Sequence, residues 1–243
     1  MHSSRYTFTF TVVITIIAST LLALASTLLE ERQDYNIDVD KKKNILKCVG
    51  INVDEMSSEM IVEEYSRNIE NLIISYDGKV DDSILLDDLI ISETKSTGQQ
   101  FYNYNEKEYL PVYISSNPSS IIIPISGKGL WSTLYGYIAL EKDYNTVKGI
   151  TFYQHGETPG LGGEVDKKWF QENFIGKKIY DLNDKFVSIE VVKGKVLDVY
   201  SGEKINHAVD GISGATITSK GVSDFIKNDL KRYDEYFAEN KID

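Results

Sequence analysis

Cysteine is almost absent from this 243-residue chain, with Cys48 standing alone. One thiol excludes an internal disulfide, a cysteine-rich zinc site and a cysteine-ligated iron–sulfur cluster held by this chain. It is expected to be an ordinary, half-buried side chain. Histidine is scarce too. His2, His155 and His207 are too scattered to compose a metal site, so no metal is expected. Basic charge is also in short supply. Lys and Arg number 26 against 37 Asp and Glu, a formal net charge of −11. Nothing offsets phosphate repulsion, which argues against nucleic acid as a partner. The Lys41-Lys42-Lys43 triplet reads as a solvated helix face. The chain has no Walker loop and no Gly-x-Gly-x-x-Gly fingerprint. It has no complete nucleophile elbow either, because Gly211-Ile212-Ser213-Gly214-Ala215 ends in Ala where the elbow requires Gly. There is no internal repeat and no low-complexity linker.

What is present begins with a hydrophobic content of 42% and a charged content of 26%, a balance that builds a packed core rather than a disordered chain. Residues 8–29 carry no charge. At about 1.5 Å per residue the run reaches roughly 33 Å, the thickness of a hydrocarbon core. Its Ser and Thr side chains can bond back to the preceding helical turn. The expectation is a retained transmembrane anchor within residues 1–29. A cleaved signal peptide is the rival, since Ala23-Leu24-Ala25 resembles a small-residue cleavage site. Basic residues on both sides of the run leave its orientation open.

Residues 30–108 are expected to form a helical, membrane-proximal region. One helix ends near Gly50, and another runs over 57–75 with Met60, Ile61, Tyr65, Ile69, Leu72 and Ile73 at helical spacing. From about Tyr109 the pattern changes to strands at 110–114, 120–125, 134–140 and 147–154. A short helix at 164–175 and a hairpin of 187–192 with 195–199 across Lys193-Gly194 follow. The last helix starts near Ser219, with Val222, Phe225, Ile226, Leu230, Tyr233 and Phe237 on one stripe. Hairpin-like runs without strand–helix alternation indicate an α+β fold with a largely antiparallel sheet and flanking helices over 109–243.

Three stretches carry chemistry. In Asp210-Gly211-Ile212-Ser213-Gly214-Ala215-Thr216, small residues leave backbone N–H groups open just before an amphipathic helix, where an anion is favoured. A plain turn and helix cap made by Ser213, Thr216 or Ser219 would use the same residues. In residues 155–163, His155-Gly156-Glu157-Thr158-Pro159-Gly160-Leu161-Gly162-Gly163, the four glycines bring the backbone close to a neighbour. Glu157 and Thr158 add polar groups and Leu161 an apolar face, a combination that suits a flat polar-edged ring. The alternative is a buried hairpin tip. In Gly127-Lys128-Gly129-Leu130-Trp131-Ser132 the Trp packs a strand end or stacks on such a ring.

The first stretch resembles, over all seven residues, the acceptor sequence of flavin-transferase substrates. All three, in their order along the chain behind an anchor and Asp40-Lys41-Lys42-Lys43-Asn44-Ile45-Leu46, resemble the C subunit of the bacterial sodium-translocating NADH:quinone reductase. Residues 77–108 carry no matching motif. The related G subunit of the ferredoxin:NAD electron-transport complex shares the acceptor motif and the Glu-Thr-Pro-Gly-Leu-Gly loop. It usually lacks the Gly-Leu-Trp element, so Trp131 favours the sodium-pump family.

The resemblance implies FMN joined to Thr216 by a phosphoester, placed there by a separate flavin transferase. Asp210, Ser213, Gly214 and Ala215 would form the recognition motif and the phosphate-side wall. Trp131, Glu157, Thr158 and Leu161 would surround its ring, with Gly211, Thr218, Leu130 and His155 also among the cofactor-binding residues. It further implies an electron relay without substrate chemistry of its own, working beside iron–sulfur subunits and a membrane subunit with a second covalent FMN. The place would be the bacterial inner membrane, crossed once, with the soluble part on the periplasmic side. The rivals are the flavin subunit of the ferredoxin:NAD complex and a membrane-anchored, non-redox module that holds a phosphate ligand.

Overall fold

The structure is a computed structural model and describes residues 3–241; Met1, His2, Ile242 and Asp243 lie outside the described residues. The chain divides into two compact units, Met1–Lys41 and Lys42–Asp243. Helix α1 (Ser4–Cys48) makes up the described part of the first and contributes its last turns to the second. By length and composition it is apolar enough to cross a membrane, and its Phe8, Ile16, Leu22 and Leu28 side chains are exposed. The hydroxyls of Thr11 and Thr20 donate to the carbonyls of Thr7 and Ile16, each one turn back, so these polar groups are satisfied within the helix.

The second unit is built on one antiparallel sheet. Helix α2 (Ser58–Asn68), capped by the Ser57 hydroxyl, leads straight into β1 (Ile69–Ser75). Then come β2 (Ile90–Glu93), β3 (Gln100–Tyr104), β4 (Lys107–Ser116), β5 (Ser119–Lys128), β6 (Thr133–Leu140) and β7 (Val147–Gln154). They lie in the order β2-β3-β4-β5-β6-β7, and β1 pairs with β4 from Ile69↔Ser115 to Ser75↔Tyr109. The sequence expectation of a helix through Ser75 therefore fails after Asn68. Residues 69–75 are rich in Ile, and a full-length partner strand outweighs their helical spacing. Likewise, residues 30–108 are helical only in part, because β1, β2 and β3 all belong to the main sheet.

One face of the sheet packs on α5 (Thr216–Arg232) and α6 (Asp234–Asn240). Ile121, Ile123 and Ile125 point to that face by the two-residue period of a strand, with Val222, Phe225, Ile226, Leu230, Tyr233 and Phe237 opposite them, all buried as their stripe requires. Each such side chain contributes about 1.5–3 kcal/mol by leaving water. Contact between helix and strand is close. A methyl group on Gly221 would lie 2.1 Å from the Lys128 carbonyl oxygen, and one on Gly127 would lie 2.3 Å from Phe225. Buried Asp229 fastens the same helix. Its carboxylate accepts from the Ser126 N–H at 2.7 Å and from Gln99 at 2.9 Å, with Arg232 at 3.5 Å.

The opposite face, marked by Gly149 and Thr151, receives the end of α1. Thr151 donates to the Asn44 carbonyl, and a methyl on Gly149 would lie 2.3 Å from the Cys48 carbonyl oxygen. Cys48, expected to be half-buried, is 1% exposed and donates to main-chain carbonyls of β6 and β7.

Two further local expectations are corrected. Residues 164–175 are not one helix but α3 (Lys168–Gln171) between two 3-10 turns, with Phe170 and Phe174 inserted into the core. Residues 187–199 are not a hairpin. Strand β8 (Glu190–Val191) pairs in parallel with β9 (Ala208–Val209), and Val196–Val199 forms the short helix α4. The cause is Asp210. Its carboxylate accepts from the Val196 N–H at 2.8 Å and turns the chain back where a second strand would begin.

Candidate functional site

The acceptor-like motif divides into residues that hold the turn and residues that the turn presents. Asp210 bonds the Val196 N–H and, at 2.8 Å, the Lys195 ammonium. Burial pushes its pKa up, but those two partners outweigh it and hold the carboxyl below its ordinary value. The Gly211 N–H donates to the Gly194 carbonyl, and a methyl at Gly211 would lie 2.0 Å from the Val192 carbonyl oxygen. Only glycine fits that approach. Ile212 and Ala215 are buried in the main core. Between them Ser213 is exposed and Gly214 takes a positive φ of 74°. Thr216 follows as the first residue of α5, exposed, and no side chain caps the helix at Ala215. Its first amide groups thus carry the partial positive charge of a helix N-terminus toward solvent.

Beside this turn lies a groove of about 1240 Å3. Gly211, Ser213, Gly214 and Thr216 line it from the expected set. Its other walls are the 187–195 segment, Trp169, and α5 from Ser219 to Lys227. Nothing in the sequence singles out Trp169 or residues 187–195 for this role, because Lys193-Gly194 carries the ordinary signal of a hairpin tip. The turn at Gly194 is real, with φ of 92°, but its partner is Asp210–Gly211 rather than a second strand.

Of the remaining expected residues, Glu157 and Thr218 join the 155–163 loop to the first turn of α5. Glu157, expected beside a ring, is 5% exposed and its carboxylate is fully engaged. One oxygen accepts from the N–H groups of Trp131 at 2.8 Å and Ser132 at 3.0 Å; the other accepts from Leu130 N–H at 3.1 Å and the Thr218 hydroxyl at 2.6 Å. Burial raises its pKa, but the Thr218 hydroxyl and the three N–H groups together bring it below the usual glutamate value. Thr218, expected among the cofactor-binding residues, is 1% exposed and occupied by this bond. His155 accepts through Nδ1 from the Glu157 N–H at 3.3 Å and so supports the loop from within. The Thr158 carbonyl closes the loop by accepting from Leu161 and Gly163, while its side chain lies on an exposed residue. Leu161 packs beside Gly214, where a methyl would come within 2.7 Å of it. Leu130, Trp131 and Leu161 are 48%, 71% and 42% exposed, an apolar trio that the protein itself leaves uncovered.

The site therefore comprises an exposed hydroxyl at an uncapped helix start, a groove beside it and uncovered apolar side chains near it. Such a constellation can hold a phosphate-bearing ligand with a large flat ring. Residues 129–231 match the FMN-binding domain family. The C subunit of the Na(+)-translocating NADH-quinone reductase of Haemophilus ducreyi is 34% identical over 234 residues, spanning 91% of this chain and 87% of that protein. Its counterpart in Pseudomonas aeruginosa is 34% identical over 239 residues, spanning 93% and 90%. Among solved structures, the counterpart from Parabacteroides distasonis superposes with a TM-score of 0.70 at 32% identity, covering 86% of this chain and 96% of that one. Sequence and fold agree over nearly the whole length, and the chain belongs to the family formed by the C subunits of Na(+)-translocating NADH-quinone reductases.

Proposed function

We propose that this protein carries FMN covalently, through a phosphoester to the Thr216 hydroxyl, and works as an electron-relay subunit of a sodium-translocating NADH:quinone reductase. The observation that carries this reading is the placement of Thr216 at the exposed, uncapped start of α5, opening on the groove. The residues fit the group. The first-turn amides and the helix dipole favour a phosphate ester there, and no acidic side chain occupies the first turn. Ser213 and Gly214 leave the approach to the hydroxyl open. Leu130, Trp131, Thr158 and Leu161 offer the ring apolar cover and a polar edge, and Glu157 and His155 hold those residues in place rather than meeting the ring.

Bound FMN would supply one-electron redox chemistry, and the chain's own part is to hold the ring and set the charge around it. A covalent bond keeps the cofactor at a surface from which a free one would be lost. Partners in this reading are the iron–sulfur subunits, the membrane subunit with a second covalent FMN, and a flavin transferase during maturation. α1 would cross the inner membrane once, with the soluble part on the periplasmic side.

Co-expression with a flavin transferase should give a protein heavier by one FMN less one water and fluorescent in a denaturing gel. Thr216→Val should lose both signals and Thr218→Val should keep them. A fluorescent, heavier Thr216→Val protein would refute the attachment.

A further inference from the structure

The Glu157 carboxylate is out of place as a ligand group. It is almost completely buried, and all of its bonding capacity goes to other parts of the same chain. Three consecutive N–H groups from the turn between β5 and β6 converge on it, joined by the Thr218 hydroxyl of α5 and, at 3.4 Å, the Ser132 hydroxyl. Both neighbouring approaches are reserved for glycine. A methyl on Gly129 would lie 2.8 Å from the carboxylate, and one on Gly162 would lie 2.7 Å from its oxygen and 2.6 Å from the Thr218 hydroxyl. Three separate segments (129–132, 156–163 and the first turn of α5) therefore meet at one charge. Hydrogen bonds from N–H donors to an anion are roughly twice as strong as those to a neutral group of the same shape.

We infer that Glu157 is a positioning residue: its ionised carboxylate locks the Leu130–Trp131 turn to the first turn of the helix that bears Thr216. Trp131 is 71% exposed, so the main-chain bonds at 130–132, rather than a hydrophobic seat, fix where its backbone presents the indole. Glu157→Gln keeps the size but places an NH2 where one oxygen stood, opposing a main-chain N–H or the Thr218 hydroxyl. Thr218→Val removes the shorter of the two side-chain donors, the other being the Ser132 hydroxyl at 3.4 Å, and leaves the charge. The inference deepens the flavin reading, and its primary readout needs no flavin.

In the full-length protein without flavin, amide exchange at Leu130, Trp131 and Ser132 should quicken tenfold or more in Glu157→Gln. It should quicken severalfold in Thr218→Val, while exchange in β6 is unchanged. Exchange at the three amides within twofold of wild type in either folded variant overturns the lock. If Glu157→Gln does not fold, Thr218→Val and the Gly162→Ala variant decide by the same measure. In flavin-loaded protein, Glu157→Gln should also shift the flavin absorption spectrum and midpoint potential. Failure of Thr216 to take flavin would sink the flavin reading and leave the exchange result standing. Loaded protein with unaltered 130–132 exchange would sink the lock alone.

Discussion

Replacing Asp229 by Asn removes one titrating group from the strap that holds α5 to the sheet. Asp229 is 2% exposed, and burial pushes its pKa up from 3.8 to about 6 against the pull of the Ser126 N–H, Gln99 and Arg232. The folded state therefore holds a proton on this carboxyl where the unfolded chain has released it. Folding takes up that proton between about pH 6 and pH 4, so this group makes the protein more stable as pH falls through 6 and less stable as it rises. From a folded value near 6 and an unfolded value near 3.8, the gain on going from pH 7 to pH 5 is about 1.3 kcal/mol. Groups packed around it are Gln99, Ser126 and Arg232, with Glu108 beyond the Arg. Those groups are present in both proteins, so the difference between wild type and Asp229→Asn isolates the proton on Asp229. The assay is urea unfolding of the two proteins in detergent at pH 5, 6 and 7. The wild type should gain about 1.3 kcal/mol more than the variant between pH 7 and pH 5. Equal pH dependence in the two proteins, or a steeper rise in the variant, refutes the argument.

Other outcomes follow from the same geometry. Gly211→Ala forces a methyl to 2.0 Å from the Val192 carbonyl oxygen. It should lower stability by about 1–3 kcal/mol, seen as a lower thermal midpoint, and should reduce flavin loading with it. Trp131→Leu should alter the flavin spectrum and potential of loaded protein with loading intact; an unchanged potential removes Trp131 from the ring. Trp169→Leu, on the groove wall, tests the other side, and a spectral change there alone would place the ring in the groove.

The strand-rich half was legible because Ile-, Val- and Tyr-rich runs of the right length stood between turn residues. The closing apolar stripe was legible for the same reason, since six side chains at helical spacing had one core to face. The helix expected from near Ser219, however, starts at Thr216 and is broken at Tyr233, which leaves four of them on α5 and Phe237 on α6. What stayed hidden was set by contacts distant in sequence. Residues 69–75 read as helix because their apolar residues fall at helical spacing, and only the presence of β4 as a partner makes them a strand. The turn at 193–196 depends on a carboxylate fourteen residues away from Val196, which no local pattern shows. The same holds within the site. The motif marked Thr216 as the place where a phosphate would be held; its exposure at the start of α5 is a property of the fold that the motif does not state. Read locally, Glu157 and Thr218 have the character of ligand groups, whereas they bond to each other across 61 residues and face inward.

The burial of Ile212 and Ala215 on either side of an exposed Ser213 and Gly214 bears on how the protein matures. These two side chains enter the core only when the sheet and α5 have come together, so the seven residues have this shape only in the finished domain. Under the proposed attachment, the Thr216 hydroxyl needs no unfolding to be reached. Modification can then follow folding, and a chain that fails to fold would present the transferase with the right letters in the wrong shape. The motif would thus act as a checkpoint, in which the cofactor is delivered to completed domains and withheld from damaged ones.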